Sequence, residues 1–267
     1  MNISKNNLPV GFFDSGVGGL TVLKKVKKIL PNEDIIYFGD TLHVPYGEKT
    51  KEQLLSYSKD ILNFFKEKKC KAVVMACNTT SSTIYEDIKN NYDFKLYPIV
   101  QSVAKILADL NIEKLGIFAT KATINSKAYE KEIAKYNKNM QVFGQYCPQW
   151  VKIVENNLTK SSESIEIIKS DLEQMLNNNP QKIVLGCTHY PYLMPVLAKF
   201  ASDKIFIDPA SYFANEIKSD LLNSNLLKNN NTTPYEEFYV SSEPEKFKDS
   251  AKIFYDIKSE IKELKFN

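Results

Sequence analysis

Two cysteines stand where a buried strand runs into a helix, a position at which a thiol can do chemistry. The apolar segment Ala-Val-Val-Met-Ala leads into Cys77-Asn-Thr, and Lys-Ile-Val-Leu-Gly leads into Cys187-Thr-His. In parallel α/β sheets, ligands bind beyond the carboxyl ends of the strands. A helix N-terminus lowers the pKa of a nearby thiol and binds anions. We therefore interpret Cys77 and Cys187 as reactive groups, with His189 placed to set the protonation of the second thiol.

Short apolar runs alternate with amphipathic stretches along the chain, which predicts parallel strands joined by crossover helices. The first half predicts strands 9–13, 34–39, 71–76 and 95–100 and helices at about 19–30, 50–68 and 80–91. The second half predicts strands 114–119, 140–146, 181–186 and 204–207 and helices at about 124–137, 162–178 and 191–201. Residues 209–267 predict a helix at about 211–222, a strand 236–240 and a final packing helix, which has a Ser242 cap, Pro244 in its first turn and the apolar positions Phe247, Ala251, Phe254, Ile257, Ile261 and Leu264.

Three landmarks recur at a nearly constant distance, which indicates that the chain is internally duplicated. Val10-Gly-Phe-Phe matches Leu115-Gly-Ile-Phe, Phe38-Gly matches Phe143-Gly, and the two cysteine segments match each other, with offsets of 105, 105 and 110 residues. If the two halves face each other across a cleft, the two thiols also face each other. A symmetric pair of acid/base groups suits removal of a proton from one face of a carbon and its return to the other face, which is racemisation or epimerisation.

Metal binding, dinucleotide binding and pure ligand binding compete with this interpretation. Zinc needs three or four ligands, and only His189 lies near a cysteine in sequence. The glycine-rich turn that begins at Asp14 is similar to a dinucleotide fingerprint with Asp40 for the ribose, but Thr21 replaces its third glycine. As part of a cleft, Ser15 and the N–H groups of the turn could instead hold a carboxylate, and Asp14 could act on a proton or an ammonium group. A two-lobed amino-acid binding protein would need no paired thiols.

The composition excludes several classes of partner. The 267 residues are 43% apolar and 25% charged, which is typical of a folded globular protein. All 35 cationic residues are Lys and the net charge is only +3, so neither nucleic acid nor a membrane surface is favoured as a partner. No apolar run reaches the roughly 20 residues of a membrane span, and the first ten residues lack the apolar core of a secretory signal, so we expect a cytoplasmic protein. Without Arg, an anionic ligand must be held by N–H groups, hydroxyls, amides or Lys.

Several further residues have a structural interpretation. The four cysteines are too few and too dispersed for a disulfide framework, so we expect free thiols. Cys70 and Cys147 lack the strand-to-helix setting and are interpreted as packing residues. His43 is interpreted as a structural or solvated loop residue, and Trp150 as a core or surface anchor.

Six motifs spread over nearly the whole chain form one recognisable set. They are GFFDSGVGGLTVL from Gly11, YFGDT from Tyr37, VPYG from Val44, ACNT from Ala76, the segment 116–126 and LGCTHYP from Leu185. This set closely resembles the cofactor-independent aspartate/glutamate racemase family, and DSGVGGLT and VPYG resemble its members that act on glutamate. The chain departs from the family pattern at His43, where Arg is usual, at Thr80, where Ala is common, and at Gln101-Ser102, but no chemical group that the mechanism needs is lost.

The resemblance implies an α/β protein of two pseudo-symmetric α/β domains, with mostly parallel sheets facing a central cleft. The first, discontinuous domain would comprise residues 1–97 plus 209–267, and the second residues 98–208. The implied activity is interconversion of L- and D-glutamate with no cofactor and no metal, and D-glutamate is used in bacterial peptidoglycan. The oligomeric state is left open, with a homodimer as one option.

The resemblance also implies a role for individual residues. Cys77 would exchange a proton with D-glutamate and Cys187 with L-glutamate. Asp14 would assist the first thiol and His189 the second. The implied substrate-binding residues are Asp14, Ser15, Tyr46, Gly47, Asn78, Thr79, Thr120, Thr123, Thr188 and His189.

Overall fold

A computed structural model describes residues 4–266, which form two β-sheets flanked by helices. The strands are β1 (Val10–Asp14), β2 (Ile35–Gly39), β3 (Ala72–Met75), β4 (Lys95–Pro98), β5 (Lys114–Ala119), β6 (Gln141–Tyr146), β7 (Lys182–Gly186), β8 (Phe206–Ile207), β9 (Glu236–Val240) and β10 (Ile261–Glu263). The helices are α1 (Leu20–Ile29), α2 (Lys51–Glu67), α3 (Asn78–Ile88), α4 (Ile99–Ala108), α5 (Lys121–Ser126), α6 (Ala128–Ala134), α7 (Trp150–Glu155), α8 (Ser162–Leu176), α9 (Met194–Leu197), α10 (Pro209–Asn223) and α11 (Pro244–Ala251).

The order of the strands repeats between the two sheets. The first sheet runs β10-β9-β2-β1-β3-β4 and the second runs β6-β5-β7-β8, with parallel pairing throughout. The order β2-β1-β3-β4 is therefore reproduced by β6-β5-β7-β8, which confirms the predicted duplication and fold class. β9 and β10 extend the first sheet, so the end of the chain returns to the half in which it began.

Burial and capping explain why these segments form strands and helices. All five positions of β1 and of β2 are buried, as expected for parallel strands covered on both faces. α2 begins with a capping box in which Thr50 and Gln53 satisfy each other's backbone N–H groups. α10 begins with an Asp208 cap and a proline in its first turn, and it packs against α1 and α4.

Within residues 4–266 no helix is long and apolar enough to cross a membrane.

The predicted final helix is wrong beyond its first two turns. α11 ends at Ala251, and Ile261 begins the short strand β10, which pairs in parallel with β9. Five of the six apolar positions of the pattern are nonetheless buried and Leu264 is half-buried, because the segment beyond α11 follows the surface of the core without being helical. Ser242 is not the cap either, since its N–H donates to Thr41 Oγ1 at 3.0 Å and Glu243 precedes the helix in a left-handed conformation.

Three other predicted elements differ from the structure. The strand predicted to reach residue 100 stops at Pro98, and α4, which was not predicted, starts there, because periodicity cannot separate a short buried strand from a buried helical turn. The helix predicted at 124–137 is divided at Lys127, which has a left-handed backbone with φ of 53°. The helix predicted at 191–201 is a 3-10 turn followed by the single turn of α9. α7 was not predicted at all.

Candidate active site

The carboxyl ends of the two sheets meet at a cavity of about 150 Å³, which we call the cleft. The two residues of the predicted site that do not line the cleft, Asp14 and Thr123, are buried beside Ser15 and Thr120 respectively. The cleft brings together side chains from both halves of the duplicated chain. The other ten predicted residues all line it: Ser15, Tyr46, Gly47, Cys77, Asn78, Thr79, Thr120, Cys187, Thr188 and His189.

Cys77 occupies the N-cap position of α3, immediately after β3, and its side chain is buried. Its Sγ lies 3.9 Å from Ser15 Oγ. Burial raises the pKa of Cys77 to about 11, the charge of Asp14 adds to this effect, and hydrogen bonds from Thr80 oppose it. The expectation that the helix N-terminus lowers this pKa is therefore wrong, because desolvation outweighs the favourable helix dipole. At neutral pH Cys77 is a protonated thiol that can donate its proton.

Cys187 follows β7 and contacts an imidazole. Its Sγ lies 3.8 Å from His189 Nδ1, and His189 Nε2 lies 3.1 Å from Glu155 Oε1. Burial lowers the pKa of His189, but the hydrogen bonds to Cys187 and Glu155 outweigh burial and raise the pKa to about 10. His189 is therefore an imidazolium at neutral pH. A cation at this position stabilises negative charge on the neighbouring sulfur, so the environment of this thiol differs from that of Cys77.

Asp14 is a buried acid at the end of β1. Its Oδ1 accepts a hydrogen bond from the N–H of Gly16 at 3.0 Å, and its buried Oδ2 has no hydrogen-bond partner among residues 4–266. Burial raises the pKa of Asp14, although the charge of His189 and the N–H groups of Gly16 and Gly19 act in the opposite direction. A carboxyl group with one unpaired oxygen can accept a proton or bind an ammonium group.

Threonine hydroxyls join the two halves at the edge of the cleft. Thr79 Oγ1 lies 2.8 Å from Thr120 Oγ1, and Thr120 Oγ1 lies 3.1 Å from Thr123 Oγ1. Gly47 makes a close approach here, since a Cβ atom on it would lie 2.8 Å from Thr120 Cβ. Hydroxyl groups can accept or donate, so this cluster can bind a carboxylate without any cationic side chain.

Gly18 makes the second close approach between the halves. A Cβ atom on this residue would lie 2.2 Å from Thr188 Oγ1 and 2.6 Å from His189 Cε1. Thr21 Oγ1, in the first turn of α1, also reaches the carbonyl oxygen of Thr188 at 3.3 Å. The glycine-rich turn therefore serves as a contact surface that seats the second half of the site against the first.

Asp40 holds one wall of the cleft in place. Its carboxylate accepts hydrogen bonds from Tyr46 Oη, from Ser241 Oγ at 2.7 Å and from His43 Nδ1 at 2.8 Å. The His43 ring also stacks on Tyr57, with centroids 3.7 Å apart. The structural interpretation of His43 is confirmed, and the ribose-binding role considered for Asp40 is wrong, because protein donors already occupy this buried carboxylate.

The sequence analysis did not identify Glu155, which lies at the end of α7 and forms a hydrogen bond with His189. Nothing in the local pattern pairs the two residues, because α7 is a short helix without a clear periodic signal.

Cys147 is buried, as expected of a packing residue, but it also lines the cleft together with Lys121 and Lys152. Trp150 is a core residue with no exposed surface. Within the described residues, no group of three or more His, Cys, Asp or Glu side chains is arranged to hold a metal ion.

The fold and the cleft define a duplicated α/β protein in which thiols that end corresponding strands of the two halves share one site. Comparison with known proteins gives this class a name. The model of the Asp/Glu/hydantoin racemase family matches residues 17–217. The chain is 41% identical over 243 residues to glutamate racemase 1 of Caldanaerobacter subterraneus subsp. tengcongensis, with 90% of each chain covered. This chain therefore belongs to the Asp/Glu/hydantoin racemase family.

Comparison with solved structures also finds glutamate racemases. The crystal structure of glutamate racemase from Francisella tularensis subsp. tularensis in complex with D-glutamate matches with a TM-score of 0.91 and 32% identity, covering 97% of this chain and 98% of that chain. A glutamate racemase from Bacillus anthracis matches with a TM-score of 0.90 and 28% identity, covering 96% of this chain and 97% of that chain. The similarity thus extends over the whole two-sheet architecture.

Proposed function

We propose that this protein is a glutamate racemase, which interconverts L- and D-glutamate by proton transfer at Cα between two thiols and without a cofactor. The observation that carries the proposal is that Cys77 and Cys187 line one cleft from corresponding places in the two repeated sheets. The choice of glutamate is supported by relatives named glutamate racemases that are about as long as this chain.

Two thiols in different environments suit a two-base reaction. Cys187, as a thiolate beside the His189 imidazolium, takes the Cα proton of L-glutamate. Cys77, as a thiol, then gives its own proton to the opposite face of the carbanion. The product is D-glutamate, with Cys187 now a thiol and Cys77 a thiolate, and the reverse sequence converts D-glutamate. Asp14 lies near Cys77, where it can carry the proton that this thiol exchanges.

Substrate binding must rely on neutral donors, because the chain contains no Arg. Asn78 and Thr79 form the first turn of α3, where free backbone N–H groups and the helix dipole favour a carboxylate. The other proposed binding residues are Ser15, Tyr46, Gly47, Thr120, Thr123, Thr188, Asp14 and His189.

We further propose that residues 1–97 plus 209–267 form one domain and residues 98–208 the other. The membership of β9 and β10 in the first sheet and the packing of α10 against α1 support this division. The cytoplasm is the proposed location and a homodimer the proposed assembly. D-glutamate for bacterial peptidoglycan is the proposed use of the product.

The test is to incubate the purified chain with L-glutamate, without any added cofactor and with a chelator, and to follow optical rotation. The rotation should decay to zero, and D-glutamate should give the mirror-image curve. L-aspartate in a parallel sample should remain unconverted. Binding without conversion would identify a binding protein instead, and conversion that required a nicotinamide would identify an oxidoreductase, so either result would reject the proposal.

A further inference from the structure

One polar atom in the wall of the cleft has no partner in the protein. Asn78 is 3% exposed, and its Nδ2 is buried without a hydrogen-bond acceptor among residues 4–266. A buried amide donor without a partner costs roughly 1–3 kcal/mol, so such a group is usually satisfied by something outside the protein. Because Asn78 lines the cleft, the missing acceptor is placed where the substrate would bind.

The opposite end of the same amide is held by a tyrosine from the other half of the chain. Tyr129 in α6 donates its Oη proton to Asn78 Oδ1 at 2.7 Å, and the phenol is fully buried. Burial raises the pKa of Tyr129, and the nearby charge of Cys187 raises it further. The phenol therefore stays protonated and can donate its proton to Asn78 Oδ1, an arrangement that leaves Nδ2 as the end of the amide without an acceptor among residues 4–266.

The tyrosine ring is itself held next to the second thiol. A Cβ atom added to Gly186, the residue before Cys187, would lie 3.3 Å from Tyr129 Cε2. The ring thus packs against the backbone next to Cys187. Its hydroxyl forms a hydrogen bond with Asn78, the residue that follows Cys77. This side chain spans the two halves of the site.

We propose that Tyr129 is a positioning residue for substrate binding: it holds the amide of Asn78 so that Nδ2 donates to a carboxylate oxygen of glutamate. The inference rests on the proposed racemase function. In the reversed orientation Oδ1 would face that carboxylate, and two acceptors would repel each other. Tyr129 does not touch the reacting carbon; it acts through Asn78.

The test is Tyr129→Phe, with kcat, KM and the dissociation constant for glutamate measured separately. Without the phenol the amide can rotate, so KM and the dissociation constant should rise by about tenfold, as for loss of a hydrogen bond to a charged group. The value of kcat should stay within about threefold, because the thiols are untouched. Tyr97→Phe is the matched control, since Tyr97 is also buried and loses a hydrogen bond to Asp220 at 2.5 Å outside the cleft.

A double-mutant cycle separates positioning from a general loss of stability. Asn78→Ala alone should weaken glutamate binding, and adding Tyr129→Phe to it should change the dissociation constant by less than about twofold, because the tyrosine then has no amide to hold. Full additivity of the two effects, or a Tyr129→Phe variant that binds glutamate as the wild type does, would overturn the inference and leave the racemase proposal standing. Wild-type protein that neither binds nor racemises glutamate would overturn both.

Discussion

Glu155→Gln is the substitution that tests the electrostatics of the cleft most directly. The change keeps the size of the side chain and removes the negative charge 3.1 Å from His189 Nε2. Burial raises the pKa of Glu155, but its hydrogen bond with His189 and the charge of that residue outweigh burial and lower it, so Glu155 is ionised at neutral pH. The neutral amide should therefore make the imidazolium easier to deprotonate.

The size of the effect follows from the geometry. An opposite charge at this distance shifts a pKa by about 1 to 3 pH units, and because the Glu155 side chain is 36% exposed, solvent screening favours about 1 to 2. The pKa of His189, about 10 in the wild type, would then lie at about 8 to 9 in the variant. The proposed mechanism requires the protonated imidazole, so activity should be present below this pKa and lost as pH rises through it. At pH 9, kcat/KM should fall about 2- to 10-fold relative to wild type, whereas at pH 7 it should change by less than about 1.2-fold.

The assay is a pH profile of kcat/KM, which reports the free enzyme, measured in both directions from pH 6 to 11. L- and D-glutamate have equal free energy, so kcat/KM must be the same in both directions at every pH, which provides an internal check. Glu166→Gln is the control, because the same chemical change is made on a side chain that is 71% exposed on α8. An alkaline limb that stays near pH 10 in Glu155→Gln would refute the assignment of Glu155 as the group that keeps His189 charged.

Four further outcomes are expected. Replacement of Cys77 or Cys187 by Ala should reduce racemisation by several orders of magnitude, since each acid/base group contributes about 10²- to 10⁴-fold; near wild-type turnover in either variant would contradict the paired-thiol mechanism. In deuterated water, mass spectrometry at low conversion should find deuterium at Cα of new D-glutamate and protium in the remaining L-glutamate, whereas retained protium in the product would indicate a single base. Gly18→Ala places a Cβ atom 2.2 Å from a threonine hydroxyl of the other half and should lower kcat/KM on the order of 10²-fold, and an unchanged value would show that the two halves can separate without cost. Lys71→Met leaves Glu33, its partner at 2.5 Å, buried without a cationic partner and with only the Lys228 N–H on its other oxygen, and should lower the free energy of unfolding by about 3–5 kcal/mol in urea titrations without changing the kcat of the folded protein; a smaller kcat would mean that this distant pair influences the cleft.

The sheets were predictable from the sequence because short local runs of residues indicate most of their strands. β1 to β9 each overlap a predicted strand, most of them as an apolar run bounded by polar residues, although β6 and β9 also contain Gln or Glu side chains. The duplicated order follows from repeated landmarks. β10 was not predictable, because Ile261 and Leu264 fit a helical spacing as well as a short strand, and only the pairing of Ile261 with Phe238 decides between them. Lys127 and Glu243 break or begin helices with left-handed backbones that no glycine marks.

The candidate site was predictable where its residues sit next to the strands that carry them. Cys77 and Cys187 end strands of the pattern, so their presence in one cleft follows from the duplication. Glu155 and Tyr129 could not be found in this way, because they meet partners 34 and 51 positions away on short helices that cross from elsewhere in the fold. Protonation is also a tertiary property, since the pKa of Cys77 depends on burial that the sequence does not display.

The two halves of the fold repeat each other, but the groups beside the two thiols do not. A two-base racemase needs one thiol and one thiolate at a time, and identical surroundings would favour neither arrangement. Burial and the charge of Asp14 raise the pKa of Cys77 and so favour the form in which Cys77 keeps its proton, which in the proposed mechanism is the form ready for L-glutamate. The form ready for D-glutamate is then scarcer, so it must react faster by the same factor, because the enantiomers have equal free energy. The asymmetry of the site can therefore alter kcat and KM in each direction, but it cannot make kcat/KM favour either enantiomer.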